Sequence, residues 1–273
     1  MRIESGGQHR VRASAPRVRR GAAIAATAAA AAAAAALLGA LGLARPALAQ
    51  GSGDGFLFTE PKGSFELRGG FAHANANSDI FSFTTNQLTV DRRDFSGFTI
   101  GADLGFRVAP RFDVVVGGSY AGTSTPSEFR DFVDQNDLPI EQTTTFQRVP
   151  LSASVKAYLT PRGRAIGHFA WVPTRLAVYV GGGGGAMWYR FRQRGDFIDF
   201  ATNDVFSDQF TSSGWTPEAH AMAGLDFSLS PRFALTTQGR YTWARADMSQ
   251  DFQGFHKIDL SGFAVTAGLA VRF

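Results

Sequence analysis

An alternation of period two runs through this chain and limits its fold more than any motif does. From Phe263 the odd positions read Phe263, Val265, Ala267, Leu269, Val271 and Phe273, while the even ones read Ala264, Thr266, Gly268, Ala270 and Arg272. Successive side chains of a strand point to opposite faces, so one face of this segment is greasy and the other small or charged. The same split recurs from Phe98 to Val108, from Val149 to Leu159 and from Ala219 to Leu229.

The chemistry of the second face decides the class. A soluble sandwich turns its apolar faces inward and exposes Lys, Glu and Thr. Here Gly, Ala and Ser dominate the second face, with isolated charges of both signs, and only 18% of the chain is charged. Small residues suit the interior of a narrow closed barrel. With the greasy face toward lipid and the small polar face toward a lumen, the pattern is that of an all-β transmembrane barrel, whose closure satisfies every backbone group.

Eight such strands are predicted, near residues 63–74, 96–108, 112–122, 143–159, 175–191, 216–229, 233–246 and 258–273. They form an antiparallel up-and-down barrel with alternating short and long connections. The short ones share one chemistry: Ala109-Pro110-Arg111, Thr160-Pro161-Arg162 and Ser230-Pro231-Arg232, the second extended through Pro173. Proline fits there because a turn needs no ladder donor. Long polar stretches near 75–95, 123–142, 192–215 and 247–257 fall at the opposite end, where an outer-membrane barrel carries its extracellular loops. Phe95, Phe112, Tyr120, Trp188, Trp215, Phe233, Trp243 and Phe273 lie near strand ends, as interfacial girdles would.

The first 49 residues read as an address. An Arg-rich stretch ending at Arg19-Arg20 enters the Ala-rich segment 22–43, followed by Arg45-Pro46 and the small-x-small triplet Ala47-Leu48-Ala49. This is the order of a secretory signal peptide, cleaved before Gln50. Residues 50–62 then form a periplasmic N-terminal segment and 63–273 the barrel. Seven of the 27 Lys and Arg side chains lie in the first 49 residues beside the single acid Glu4, so the net charge of +4 belongs to the leader. The remainder is slightly acidic, which argues against nucleic acid as a partner. With no cysteine, thiol catalysis, disulfides and zinc-thiolate sites are excluded together.

The leader, eight alternating segments, three tight turns, four long loops and terminal Phe273 resemble the small outer-membrane β-barrel proteins of the OmpA-like, OmpX-like and OmpW-like families. The last eight residues are similar to the β-signal read by the barrel assembly machinery, with Thr266, Gly268, Val271 and Phe273 at its four positions. The resemblance implies a Gram-negative outer-membrane location, that machinery as a partner during biogenesis, and outer-membrane lipids and lipopolysaccharide as surroundings. It is architectural, and the long second turn and Gly-rich fifth strand depart from a minimal OmpX-like barrel, so it implies little about activity.

Inside the barrel, alternation places Glu66, Asp103, Asp113, Glu218 and Asp226 against Arg68, Arg107, Arg148, Lys156, Arg240 and Arg272. An eight-stranded barrel is just wide enough to be filled by its own side chains, so this network is expected to plug the lumen. The run Gly181 to Gly185 lacks the Lys-Ser/Thr pair and helix of a phosphate loop. It reads instead as room for inward Tyr179, Met187 and Tyr189, or for Arg side chains from other strands, and as a site of strand bending.

Catalytic constellations are poor. His73, His168, His220 and His256 show no metal-ligand spacing with one another, and no metal or other cofactor is expected. A lipid-facing His-Ser pair would be needed for outer-membrane lipid hydrolysis. Outward His73 with Ser82 or Ser78 is the nearest approach to one, without a motif. In the loops, Asp196, Asp199, Asp204 and Asp208 alternate with Phe197, Phe200, Phe206 and Phe210, and Glu128, Asp131, Asp134, Asp137 and Glu141 cluster in the second loop. These read as solvated loop tips, as sites for divalent cations shared with lipopolysaccharide phosphates, or as contacts to a partner or apolar solute. The sequence therefore points to a non-enzymatic barrel serving envelope structure or surface interaction. The alternative is a narrow porin-like channel for small solutes, hydrophobic ones included.

Overall fold

The computed structural model describes residues 55–134, 137–167, 170–199 and 204–273. The leader, its cleavage residues Ala47, Ala49 and Gln50, residues 50–54, His168 and Phe200 lie outside the described residues. The strands are β1 (Gly63–Ala74), β2 (Gly97–Ala109), β3 (Phe112–Val133), β4 (Pro139–Tyr158), β5 (Gly163–Ile166), β6 (Ala170–Pro173), β7 (Leu176–Ile198), β8 (Val205–Ser228), β9 (Phe233–Ala246), β10 (Ile258–Asp259) and β11 (Gly262–Arg272). Eight of them close into a ring in the order β1-β2-β3-β4-β7-β8-β9-β11. The seam is an antiparallel ladder from Ser64↔Arg272 to Ala74↔Gly262. The Phe273 carbonyl ties it off by accepting Lys62 N–H and Gly63 N–H, both at 2.9 Å.

The faces divide as the alternation requires. Leu67, Phe71, Phe98, Ile100, Val116, Leu151, Val180, Leu225, Leu235 and Val265 point outward and are exposed, Phe98 by 64% of its surface. Every ring strand contributes to this apolar belt. The girdle aromatics Tyr120, Trp215, Trp243, Phe112, Phe233 and Phe273 are exposed with it. Phe95 is not, because the 3-10 turn Arg92–Phe95 carries its ring inward.

Two of the expected loops are wall. β3 and β4 stay paired as far as Glu128↔Glu141, and β7 and β8 as far as Ile198↔Val205, so 123–142 and 192–215 form tall hairpins. Alternation reports contrast between two faces, and a strand with polar residues on both has none to report. The second turn likewise holds its own hairpin, β5–β6, from Gly163↔Pro173 to Ile166↔Ala170.

The first loop contains a helix, α1 (Asp79–Gln87), that lies in the long-hairpin end of the barrel. Ile80, Phe81 and Thr84 are its buried residues. Its threonines are turned back on the helix, with Thr84 Oγ1 donating to Ile80 O at 2.8 Å and Thr85 Oγ1 to Phe81 O at 3.0 Å. Phe81 packs edge-on to Phe95, Phe146 and Phe191 with ring centroids 4.8, 5.3 and 5.7 Å away. Leu88, Val90, Tyr189, Phe252, Ile258 and Leu260 belong to the same cluster. The apolar core thus sits at one end of the lumen, at about 1.5–3 kcal/mol for each large side chain buried.

Candidate functional site

Below the aromatic cluster the interior is polar, and its charges are held one by one. Arg68 Nη2 donates to Asp103 Oδ1 at 3.0 Å. Lys156 Nζ donates to Glu66 Oε2 at 3.3 Å, and Thr236 Oγ1 to Glu66 Oε1 at 2.9 Å. Arg240 Nη2 lies 3.4 Å from Glu218 Oε1 and donates to Ser152 Oγ at 2.8 Å. These three ion pairs join members of the expected network.

Its other members find different partners. Asp113 accepts from Arg162 Nη1 at 2.5 Å, and Arg107 pairs with Glu60. Asp226 accepts from Tyr158 OH at 2.9 Å, and Arg272 donates to Ser228 Oγ at 2.9 Å. Arg148 departs most from expectation. It lies where the polar tier meets the aromatic one, donates to Leu260 O at 3.0 Å and stacks 5.2 Å from the Phe146 ring centroid. Arg162 and Glu60 escaped sequence reasoning because they lie outside the alternating segments.

The short-turn end is covered by the extension through Pro173. Trp171 of β6 is buried, its backbone N–H and C=O both paired with Leu57 at 2.8 Å. Arg162 stacks 4.4 Å from the Tyr158 centroid, and Arg272 lies 5.9 Å from that of Trp171. Between these groups and Lys156 remains a cavity of about 40 Å³, lined by Glu66, Asp113, Tyr158 and Asp226. A space of that size holds a few water molecules and no organic solute.

The glycine run explains how polar groups meet across strands. Gly181, Gly183 and Gly185 face the same way as buried Tyr179, Met187 and Tyr189. A Cβ at Gly183 would fall on the Ala153 carbonyl and lie 2.7 Å from Ser154 Cα. The absent side chain leaves a lane over which His220 of β8 reaches Ser154 of β4, Nε2 to Oγ 2.8 Å.

With Glu218 Oε1 3.2 Å from His220 Nδ1, this trio has the composition of a nucleophile–base–acid relay. The same Nδ1 also lies 2.8 Å from Arg240 Nη2, so one ring nitrogen is shared between a carboxylate and a guanidinium that is itself bound to Ser152 Oγ. The trio is thereby tied into the lumen network, buried away from the outer surface.

On the outer surface, His73 Nδ1 meets Ser96 Oγ at 3.1 Å. Ser82 instead donates to the Ser78 carbonyl at 3.5 Å, and the hydroxyl beside His73 is that of Ser96, neither of the two serines expected there. Ser96 Oγ also accepts Ala74 N–H at 3.1 Å, and no carboxylate orients the His73 ring among the described residues. His256 is on the long-hairpin end, where it binds Asp79.

The ring order and the outward belt define a closed eight-stranded up-and-down barrel with an apolar exterior. The chain is similar to Neisserial surface protein A, at 13% identity over 77% of this chain and 97% of that one, with a TM-score of 0.41. It is also similar to the outer membrane protein OprG from Pseudomonas aeruginosa (15%, 80% and 99%, TM-score 0.42) and to Ail, the attachment invasion locus protein of Yersinia pestis (15%, 78% and 99%, TM-score 0.39). No family model matches the chain, and no curated protein matches it in sequence.

Proposed function

We propose that the mature chain is a non-enzymatic, integral outer-membrane barrel of a Gram-negative cell, with a plugged lumen and its tall hairpins outside. The observation that carries this reading is the pairing of a continuous exposed apolar belt with an interior filled by its own side chains. Such a belt in water would be an aggregation surface, whereas in hydrocarbon it is the solvated face. Inside, the Lys156–Glu66 and Arg68–Asp103 pairs, Trp171 below and the Phe81 cluster above oppose passage. What such a barrel offers is mechanical and superficial: a stable membrane body and hairpins that meet lipopolysaccharide, cations or another surface.

The leader 1–49 is removed before Gln50 in this account, and Thr266, Gly268, Val271 and Phe273 serve recognition by the assembly machinery. Refolded protein in a planar bilayer tests the central point. No steady single-channel steps are expected, and regular steps would replace the plugged reading with the narrow channel.

A further inference from the structure

On the outer face of β7 the alternation that places Val180 in the apolar belt continues upward as Trp188, Arg190, Arg192 and Arg194. Trp188 and its cross-strand partner Trp215 mark the edge of the belt, and the Arg190 guanidinium stacks 5.0 Å from the Trp188 ring centroid. Among the described residues, the guanidinium groups of the three arginines make no ion pair and no hydrogen bond. Arg194 is exposed and the other two are half-buried.

The neighbouring strands bring no charge to this column. Register places Thr143, Thr145 and Gln147 of β4 and Gln209, Thr211 and Ser213 of β8 directly beside the arginines. All six can hydrogen-bond. Acids lie beyond the patch: Asp196 follows Arg194 on the strand and accepts the Ser207 hydroxyl, Glu141 and Asp208 stand above the Arg194 row, and Asp251 binds the Thr211 N–H from the far side of β8. Like charges roughly 7 Å apart on one rigid strand repel one another, so an anion resting on the column is favoured.

Height then identifies the carrier of that anion. Strand residues rise about 3.3 Å each, so the arginines stand roughly 7, 13 and 20 Å along β7 from Trp188. A strand tilt of about 40° turns these into roughly 5, 10 and 15 Å above the interface that the tryptophans mark. A phospholipid headgroup layer is only about 5–8 Å deep and stops at the lower part of the column. A headgroup that meets all three arginines is taller and carries several phosphates. Beside the upper two runs an open groove of about 510 Å³, with the hydroxyls of Ser124, Thr143 and Thr145 in its wall and Glu128 and Glu141 at its top. Such a wall suits the sugar units of a phosphorylated glycolipid.

We propose that the outward column Arg190, Arg192 and Arg194 docks lipopolysaccharide, with acyl chains along the belt below Trp188, phosphates on the arginines and inner sugars against the hydroxyl-lined groove. The site rests on the outer-membrane reading with the long hairpins outside, because only then does the column face the leaflet that holds this lipid.

The test uses the chain without its leader, refolded in detergent micelles and titrated with fluorescently labelled deep-rough lipopolysaccharide, the same glycolipid dephosphorylated, and labelled phosphatidylglycerol. Arg190→Gln with Arg192→Gln and Arg194→Gln removes the column. Arg111→Gln with Arg164→Gln and Arg175→Gln removes equal charge from exposed positions at the short-turn end. Heat-modifiable migration in a gel shows that each variant is folded. The parent should bind the phosphorylated glycolipid at least about ten-fold more tightly than the dephosphorylated one, as several charge-assisted contacts together require. The column variant should bring the two within about two-fold, while the short-turn variant keeps the preference. If the triple column variant does not fold, Arg194→Gln alone should lower the preference at least about two-fold. Equal binding of both glycolipids by the parent overturns the proposal, as does a preference that survives loss of the column or falls equally in both variants. Phosphatidylglycerol bound as tightly as lipopolysaccharide, or a heparin oligosaccharide bound more tightly, assigns the column to another anion and overturns it as well.

Orientation is read separately. The chain has no cysteine, so Asp131→Cys near the tip of the β3–β4 hairpin gives a single site for a membrane-impermeant maleimide on intact cells. Labelling is expected. Labelled cells without a phosphate preference in micelles overturn the docking site alone, whereas labelling only after lysis puts the hairpins inside and overturns the outer-membrane orientation together with the site.

Discussion

His220 Nε2 and Ser154 Oγ are 2.8 Å apart, although a whole strand lies between the two residues. The register makes this possible: Ser154, Gly183 and His220 form one row across β4, β7 and β8. The rows beside it repeat the device, with Lys156, Gly181 and Met222 on one side and Ser152, Gly185 and Glu218 on the other. Arg240, from the next strand, donates to Ser152 over Gly185. The glycine run is a floor on which polar side chains from its two neighbours meet.

Filling that floor should cost stability according to which way the new side chain points. At Gly183 a Cβ would overlap the Ala153 carbonyl, whereas at Gly182 its nearest neighbour is His220 O at 3.1 Å. Gly183→Ala is expected to lose about 1–3 kcal/mol in urea unfolding from detergent, as overpacking does. Gly182→Ala should lose less, and Gly183→Leu should fail to reach the heat-modifiable form. Normal folding of the leucine variant would contradict the packing account.

The Lys156–Glu66 pair supplies a test of the buried network. Lys156→Met leaves Glu66 charged, enclosed and reliant on Thr236, a loss of about 3–5 kcal/mol for an unmatched buried charge. Glu66→Gln with Lys156→Met removes both charges and should recover most of it. The four unfolding free energies of the double-mutant cycle measure the coupling, and additive losses would show that the two groups do not act as a pair.

How far the residues foretold this arrangement depended on contrast between faces. β1 was legible to the residue, because Leu67 and Phe71 alternate with Glu66, Arg68 and Ala72. The upper halves of β3, β4, β7 and β8 were not, since Thr143, Thr144 and Thr145 give both faces the same polarity. Individual lumen charges followed from parity, but their partners did not. Arg162 reaches Asp113 from a turn, and Arg148 meets a carbonyl, so neither contact is written in the alternation. α1 was hidden for another reason. Its buried face is only Ile80, Phe81 and Thr84, too short and mixed a run to show a helical period.

On the outer surface the pair of His73 and Ser96 is expected to be inert. The histidine lacks an orienting carboxylate among the described residues, and the serine hydroxyl already accepts from Ala74 N–H. Incubation with radiolabelled lipopolysaccharide or phospholipid should release no acyl chain. Release that disappears in Ser96→Ala would make the protein a hydrolase.

The helix of the first loop is fastened to the last loop by one carboxylate. Asp79 Oδ2 accepts the His256 N–H at 2.9 Å and lies 2.8 Å from His256 Nδ1, while Oδ1 accepts Ile80 N–H at 2.9 Å. Slight burial works against its charge, but these hydrogen bonds outweigh it and hold the carboxyl below its ordinary 3.8. A depressed folded value means that the stabilisation is fully present above the ordinary one and is lost as pH falls through the folded one. Amide-exchange protection around residues 255–258 should therefore fall between about pH 5 and about pH 2 beyond the intrinsic change. Asp79→Asn should flatten that dependence, and an unchanged profile would show that the contact does not hold the loops together.

Phe273 takes part in closing the ring. Phe273 N–H donates to Gly63 O at 3.0 Å, its carbonyl accepts from Lys62 and Gly63, and its ring lies against the face of Gly63 that bears no side chain. The ring is otherwise exposed, so Phe273→Ala removes little buried area and keeps all three backbone bonds. In detergent, where only the finished fold counts, the variant should refold within about 1 kcal/mol of the parent. In cells, if the end of β11 is what the assembly machinery reads, its yield in the outer-membrane fraction should fall several-fold while unassembled chain accumulates in the periplasm. Equal losses in both settings would assign Phe273 to stability alone, and no loss in cells would remove it from the assembly signal.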